Sequence, residues 1–412
     1  MEAEKKIAII VPGSLPMPPV KGGAVESLLY NIIKENEIQE KVRLVIYSAY
    51  DREAVKASKD YSETEFKYFT MPSIVKYLDC FIYGLAKMLG RKNLQGYRFI
   101  AKRLYYIYKI AYDLHIRNDI DAIVLDNHIT LCMILRFWDN QEKYKGRIIY
   151  HVHNVLNGYF GQKDIFMSLD RYLCVSQYIA DGLVDCGVPK EKIRVLANVV
   201  DTKRFSYRMS KEEIRNFKKK NGIGENERII FTAGRIIPEK GIKEALLGFK
   251  NANLENTKLV IAGGVFFGSN ITNTYQKEVK NIVDELSSRV IMLGHLSYED
   301  MPKWYQCSDI GLFPSTGAEA APLVVIEARS SGLPVITTIS GGIPEYIKND
   351  FGILLPLDEK LVENIADSLN LLLSNPILLR NMGEKAWEYS QQYDLSTYYG
   401  NFHQQITEVI KE

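Results

Sequence analysis

The chain has 412 residues, more than one hydrophobic core ordinarily spans, so two α/β-sized domains are expected. Apolar residues make up 46% and charged residues 25%, which excludes a disordered chain, and a formal charge of +2 leaves any basic surface to local clustering. Five scattered cysteines (Cys80, Cys132, Cys174, Cys186, Cys307) have neither C-x-x-C nor zinc-ligand spacing and read as reduced core residues of a cytoplasmic protein.

At the start, Lys5 and Lys6 run straight into the strand pattern Ile7-Ala8-Ile9-Ile10-Val11, without the layout of a signal peptide. No apolar stretch further on has the length needed to span a bilayer. Short β-branched runs alternate with longer helical patterns, the signature of parallel sheets with crossover helices. Strands are expected near 5–12, 42–48, 121–126, 147–152, 171–175 and 192–196, and again near 228–233, 258–262, 289–293, 309–313, 334–337 and 352–355. Between the two sets the polar run Asp201-Thr202-Lys203-Arg204-Phe205 and a charged helix at 210–220 mark a hinge near 199–206. The division is therefore a first domain over 1–202 and a second over 203–391. Helical stretches follow at 358–373, 376–389 and 395–410, and the segment 392–412 is free to return to the first domain.

Residues 71–117 differ from the rest. Lys76, Lys87, Arg91, Lys92, Arg98, Lys102, Arg103, Lys109 and Arg117 face only Asp79 and Asp113, and aromatic residues such as Tyr77, Phe81, Tyr83, Tyr105 and Tyr108 are interleaved with them. An interfacial helix resting on anionic lipid has this composition, and so does a pair of ordinary helices covering a sheet. Nucleic-acid binding is disfavoured, because the second half carries no matching basic stripe.

Three stretches can carry chemistry. The loop Lys21-Gly22-Gly23-Ala24 leads into an amphipathic helix, so its backbone can approach a ligand while free N–H groups face an anion; it lacks both the dinucleotide and the P-loop fingerprints. At Ala233-Gly234-Arg235-Ile236-Ile237-Pro238-Glu239-Lys240-Gly241, a second strand end runs into a helix, and two cations converge with a helix dipole as a diphosphate clamp. In Glu319-Ala320-Ala321-Pro322-Leu323, Pro322 suits a first helical turn, placing Glu319 just ahead of the helix and Glu327 inside it, where carboxylates can accept from sugar or ribose hydroxyls.

Taken together, Gly22-Gly23, Gly234-Arg235 with Glu239-Lys240-Gly241, the Glu-x7-Glu pair Glu319 and Glu327, and Ser331-Gly332-Leu333-Pro334-Val335 resemble glycosyltransferase family 4, the retaining group 1 enzymes, in the manner of bacterial surface-polysaccharide and spore-coat members. The similarity implies the α/β GT-B fold: two doubly wound Rossmann-like domains facing across a cleft, acceptor on the first and donor on the second. By the same resemblance Arg235 and Lys240 bind the donor diphosphate, Glu327 holds the nucleotide ribose and Glu319 contacts the sugar. Gly22, Gly23, Gly234, Gly317, Ala320, Ala321 and Leu323 line the donor, and His295 and Leu296, after Gly294, lie near the base. A histidine at a first-domain strand end belongs beneath the anomeric carbon. Alternation points His151 and His153 the same way, and the motif favours His153. Asp126, Asn127, His128 and Asn154 end neighbouring strands and are the acceptor-side candidates.

The implied reaction moves a hexose or N-acetylhexosamine from a nucleotide-diphosphate sugar, of the UDP-glucose type, to a glycan or lipid-linked acceptor in cell-surface polysaccharide or glycoconjugate synthesis. It uses no cofactor and no metal, and is expected in the cytoplasm, at the inner face of the cell membrane where residues 71–117 would make peripheral contact. The alternatives are a sugar-nucleotide epimerase or hydrolase of the same fold, a phosphorylase, and a silent scaffold that keeps the nucleotide cleft. Asp119-Ile120-Asp121 matches a metal-binding D-x-D, yet it precedes a strand and reads as a loop. Asn198-Val199-Val200-Asp201 departs from the family's Asn-Gly-Val-Asp, so the positive φ a glycine would permit is either absent or strained.

Overall fold

Thirteen strands in two parallel sheets organise the computed structural model, which describes residues 5–91, 94–264 and 274–411. Lys92, one of the basic residues named above, lies outside the described residues. The first sheet takes β1 (Lys6–Ile10), β2 (Arg43–Ala49), β3 (Thr64–Phe69), β4 (Ala122–Asp126), β5 (Ile148–Val152), β6 (Arg171–Cys174) and β7 (Ile193–Val195) in the order β3-β2-β1-β4-β5-β6-β7. The second takes β8 (Arg228–Ala233), β9 (Thr257–Ala262), β10 (Val290–Gly294), β11 (Ile310–Phe313), β12 (Val335–Thr338) and β13 (Gly352–Leu355) in the order β10-β9-β8-β11-β12-β13.

Both orders are those of a doubly wound sheet, in which the winding reverses once. The reversal falls between β1 and β4 in the first sheet and between β8 and β11 in the second. Connections leaving opposite ways there open a crevice at the carboxyl ends of those strands, and polar loops collect in it. Central strands such as Ile7–Ile10, Ala122–Leu125 and Ile229–Phe231 are buried on both faces, which is why they read as unbroken apolar runs.

The chain divides into two compact units. One comprises residues 1–175, 179–196 and 398–412, and the other 176–178 and 197–397. The crossover therefore lies just ahead of the predicted hinge. Within the first unit, the returning part of the terminal helix Leu395–Lys411 buries Tyr399, Phe402, Ile406 and Val409, and Tyr399 donates from its hydroxyl to Asn36. Arg171, itself buried, reaches Gln405 at 3.1 Å and Glu408 at 3.2 Å.

Two sequence expectations change. β3 joins the first sheet as an edge strand that the apolar-run reading passed over, because Glu65 and Lys67 interrupt it. Pro322 stands at the N-cap of the helix Leu323–Ser330 instead of inside its first turn. Val199 does not adopt a positive φ; it is buried with Val200, and Asp201 caps the next short helix by accepting from the Arg204 amide at 3.1 Å. The D-x-D string is a loop whose carboxylates are taken up by Arg117, Lys5 and Lys6. Among the described residues no helix is long and apolar enough to cross a membrane, and all five cysteines are unpaired; Cys132, Cys174 and Cys307 are buried as core residues, whereas Cys80 and Cys186 are exposed on helix surfaces or ends and do not belong to the core.

Candidate active site

In the second unit, the loop after β8 begins at Gly234 and closes in a 3-10 turn, Pro238–Lys240, before the helix Ile242–Ala252. Gly241 joins the two with a φ of 65°, and a Cβ there would stand 1.8 Å from the Pro314 carbonyl oxygen, so only glycine lets this turn meet the loop after β11. That second loop is stitched to the first: the amides of Thr316 and Gly317 both donate to the Glu239 carbonyl at 3.0 Å, and the Thr316 hydroxyl donates to the Pro238 carbonyl at 2.8 Å. The β12 side holds it too, through the Gly342 amide on the Glu319 carbonyl at 2.7 Å and the Ser340 hydroxyl on the Gly317 carbonyl at 2.7 Å.

This scaffold brings together two charges that lie far apart in sequence. Lys240 Nζ meets Glu319 Oε1 at 2.5 Å, and the same oxygen accepts from the Ser315 hydroxyl at 3.0 Å. Both side chains stay partly open, at 24% and 15% exposure. An ion pair in contact with water contributes about 1 kcal/mol or less, so either partner can be re-paired by a ligand at small cost. The aliphatic stem of Lys240 runs over Gly234: a Cβ at that glycine would lie 3.6 Å from Lys240 Cγ. Arg235 leaves the backbone at the next position and is exposed. The predicted clamp residues thus flank one glycine at the carboxyl end of β8.

Glu327 sits on the second turn of the helix Leu323–Ser330, only 5% exposed, and Tyr305 Oη donates to its Oε2 at 2.8 Å. Burial pushes its carboxyl up to about 7, against the opposing effect of the Tyr305 hydrogen bond. Tyr305 went unnoticed in the sequence, where nothing marks it as the partner of a carboxylate 22 positions on. Gly317, Ala320, Ala321 and Leu323 lie partly buried along the same loop and helix start, while His295 is exposed just beyond β10 and Leu296 packs on the core beneath. Two hollows of about 530 and 540 Å³ in this unit are lined by Arg228, Leu254, Asp309 and Gly332, toward the amino ends of the strands, and take no part in the loops above.

The first unit has its own polar cluster at the ends of β4 and β5. His151 and His153 face the same way, as strand alternation predicts, with ring centroids 3.9 Å apart. Both turn to Asp126, whose Oδ1 lies 2.9 Å from His153 Nε2 and 3.5 Å from His151 Nδ1. All three are buried. Burial opposes ionisation of Asp126, but the charge of His153 and the hydrogen bonds of both imidazoles hold its carboxyl at about 2. Burial, helped by the neighbouring His153, pulls His151 down to about 4. Asp126 Oδ2, His151 Nε2 and His153 Nδ1 have no partner, and one ligand atom from each residue lies within 4.8 Å of the others, an arrangement with the donor set of a divalent-ion site.

Asn127 turns the corner after β4 at a φ of 64° and accepts through Oδ1 from the His153 amide and from Asn154. His128 caps the following turn through Nδ1, and burial, then the charge of Arg103, pull it down to about 4. Gly22 and Gly23 have φ of 72° and 117°, the second serving as N-cap of the helix Ala24–Gln39. The residue missed here is Glu26. Its carboxylate fills the space over Gly23, where a Cβ would come within 2.2 Å of Oε2, and it is buried. Burial raises its pKa most, its own backbone amide lowers it, Asp126 raises it and His153 lowers it, so the Gly-Gly loop joins the histidine cluster. In sequence Glu26 reads as a simple complement to the helix dipole.

Two family models match this chain. The glycosyl transferases group 1 model covers residues 213–389 and the glycosyltransferase family 4 model covers 86–204. Among curated proteins, lipopolysaccharide 1,2-N-acetylglucosaminetransferase of Salmonella typhimurium is 24% identical over 351 residues, 83% of this chain and 82% of that one. The UDP-Gal:alpha-D-GlcNAc-diphosphoundecaprenol alpha-1,3-galactosyltransferase of Escherichia coli is 27% identical over 195 residues, 46% of each chain. Among solved structures, Anabaena HepE in complex with UDP and glucose superposes with a TM-score of 0.75 at 18% identity, covering 98% of this chain and 100% of that one. Two doubly wound parallel sheets and these neighbours define the fold as GT-B. With the two models together matching well over half of its length, the chain belongs to the group 1 glycosyltransferases of family 4.

Proposed function

We propose that this glycosyltransferase moves a hexose or N-acetylhexosamine from a nucleotide-diphosphate sugar, of the UDP-glucose type, to a glycan or lipid-linked saccharide in cell-surface polysaccharide or glycoconjugate synthesis. The observation that carries this reading is the Lys240–Glu319 contact, built where the winding of the second sheet reverses. A UDP-and-glucose complex of a protein of the same fold, and relatives named for N-acetylglucosamine and galactose transfer, support the class of donor. The diphosphoundecaprenol acceptor in one of those names supports a lipid-linked acceptor.

In this reading the donor diphosphate draws Lys240 away from Glu319 and, with Arg235, neutralises the charge that grows on the departing phosphate. The released Glu319 carboxylate accepts from hydroxyls of the sugar. Glu327, steadied by Tyr305, accepts from the ribose. His153, oriented through Nε2 by Asp126, is assigned the catalytic position of the first unit; Asp126, expected on the acceptor side, is buried against the two imidazoles and takes this orienting role instead, which leaves Asn127, His128 and Asn154 on the acceptor side. Transfer retains the anomeric configuration by front-face departure and attack, with no covalent intermediate on an enzyme carboxylate. We assign the work of a metal to the two cations and place the reaction in the cytoplasm, a setting that unpaired cysteines suit.

The test is transfer from UDP-glucose and UDP-N-acetylglucosamine to glycan and undecaprenyl-diphosphate-linked acceptors, with product anomers read by proton NMR. Lys240→Ala with an unchanged fold is expected to lose about two to three orders of magnitude in turnover, the range for removing one charge-stabilising group. Near-normal transfer by that variant, inverted product, or abolition by EDTA would each overturn the corresponding part of the reading. The last would give Asp126, His151 and His153 a metal.

A further inference from the structure

The predicted basic and aromatic segment does not act as one body. Its second helix, Ile100–Ile116, is an ordinary cover for the first sheet, burying Tyr106, Ile107, Ile110, Ala111 and Leu114. Tyr108 and Tyr112, though half-exposed, pack on Trp138 with centroids 5.0 and 5.5 Å away.

The first helix, Ser73–Met88, has two apolar faces. One carries Val75, Asp79, Ile82, Tyr83 and Ala86 at helical spacing and is the more buried, along the hairpin with the second helix. Asp79 is consumed there: its oxygens accept from the amides of Ala101 and Lys102 at 2.7 and 3.1 Å and cap the second helix. The other face carries Ile74, Tyr77, Leu78, Phe81, Leu85 and Met88, exposed by between 41% and 76%. At 100° per residue these six fall on an arc of about 100° and run for about 20 Å along the helix, a continuous stripe and not scattered surface residues. Soluble monomers rarely leave such a stripe uncovered.

Charge decides what covers it. From residue 71 to 112 the sequence holds eight cations and a single acid, the buried Asp79, although the whole chain is only +2, so the remainder is net acidic. A second copy of this chain would bring like charge against like charge at an isologous contact, whereas a layer of anionic headgroups would neutralise it. We propose that the helix Ser73–Met88 docks the chain on a bilayer containing anionic lipid, with the Ile74–Met88 stripe entering the headgroup region and the cations of the segment, Lys76, Lys87 and Arg91 among them, drawn to its negative surface potential. This docking face contains none of the candidate active-site residues, and its failure would leave the transfer reaction standing.

The test is co-sedimentation of the full chain with vesicles of phosphatidylcholine alone or with about a third phosphatidylglycerol, at low and high salt. Wild type is expected on the anionic vesicles, weakened by salt. The pair Phe81→Ser with Leu85→Ser should lower the partition about tenfold or more. Lys76→Gln with Lys87→Gln should reduce binding to the anionic vesicles only. Both pairs change exposed side chains, so thermal melts should match wild type, and UDP-sugar hydrolysis without acceptor should be unaffected. Absence of wild-type binding to anionic vesicles, or equal binding by the serine pair, overturns the proposal. So does a wild-type dimer, dissolved by the serine pair, that binds no vesicle, since it would assign the stripe to a second copy.

Discussion

Glu327→Gln separates what this carboxylate does for stability from what it does for the donor. Burial raises Glu327 from an ordinary 4.5 to about 7. Below pH 4.5 both folded and unfolded chains hold the proton and the group has no effect. Between 4.5 and about 7 the unfolded chain releases the proton while the folded chain keeps it, so stability falls as pH rises. Above 7 the full cost is present, about 3 kcal/mol at most for a shift of this size. Glutamine carries no charge, can accept from Tyr305 Oη as the acid does, and offers a donor in place of the acid proton. Glu327→Gln is therefore expected to melt with wild type near pH 4.5 and up to roughly 6–12 °C above it at pH 8, using about 2–4 °C per kcal/mol for a unit of this size. The same variant should bind UDP more weakly, because an uncharged amide accepts poorly from two ribose hydroxyls. Melts followed by calorimetry at the two pH values, with UDP titrations at pH 8, read both effects. An equal or lower melting temperature at pH 8 would refute the inference that this carboxylate is held against its solvation.

Gly241→Ala should destabilise the second unit by about 2–4 kcal/mol and reduce transfer as well, since a methyl group 1.8 Å from the Pro314 oxygen at positive φ forces apart the loops that carry Lys240 and Glu319; chemical denaturation measures it. Acidification from pH 7 to pH 4 should cost the first unit roughly 3 kcal/mol through His151, which stays neutral when buried but takes a proton once unfolded; His151→Gln should remove most of that loss in a urea titration at the two pH values.

What the sequence made legible follows from burial. Strands such as β8, β9 and β11 are covered on both faces, so their residues have no reason to alternate and the apolar runs stand out. β3 at the edge keeps a Thr-Glu-Phe-Lys-Tyr-Phe alternation, a weaker signal with charges in it. Strand alternation placed His151 and His153 on one side, and strand ends drew Asp126 into the same neighbourhood. Nothing local could reveal that Lys240 meets a carboxylate 79 positions later, because that contact exists only once two strand-end loops share a sheet reversal. Glu26 was hidden for the opposite reason: an acid in a first helical turn already has an ordinary explanation. In the 71–117 segment both helices have the same composition, and only the packing decides which of them covers the sheet.

The most direct measurement is a calorimetric titration of UDP into wild type, Lys240→Ala and Glu319→Gln. If Lys240 grips the diphosphate, its loss should weaken UDP by about tenfold or more, the scale of one charge-assisted contact. Glu319→Gln should keep UDP affinity and lose only the added affinity of the UDP-sugar. Wild-type UDP affinity in the alanine variant would contradict the account.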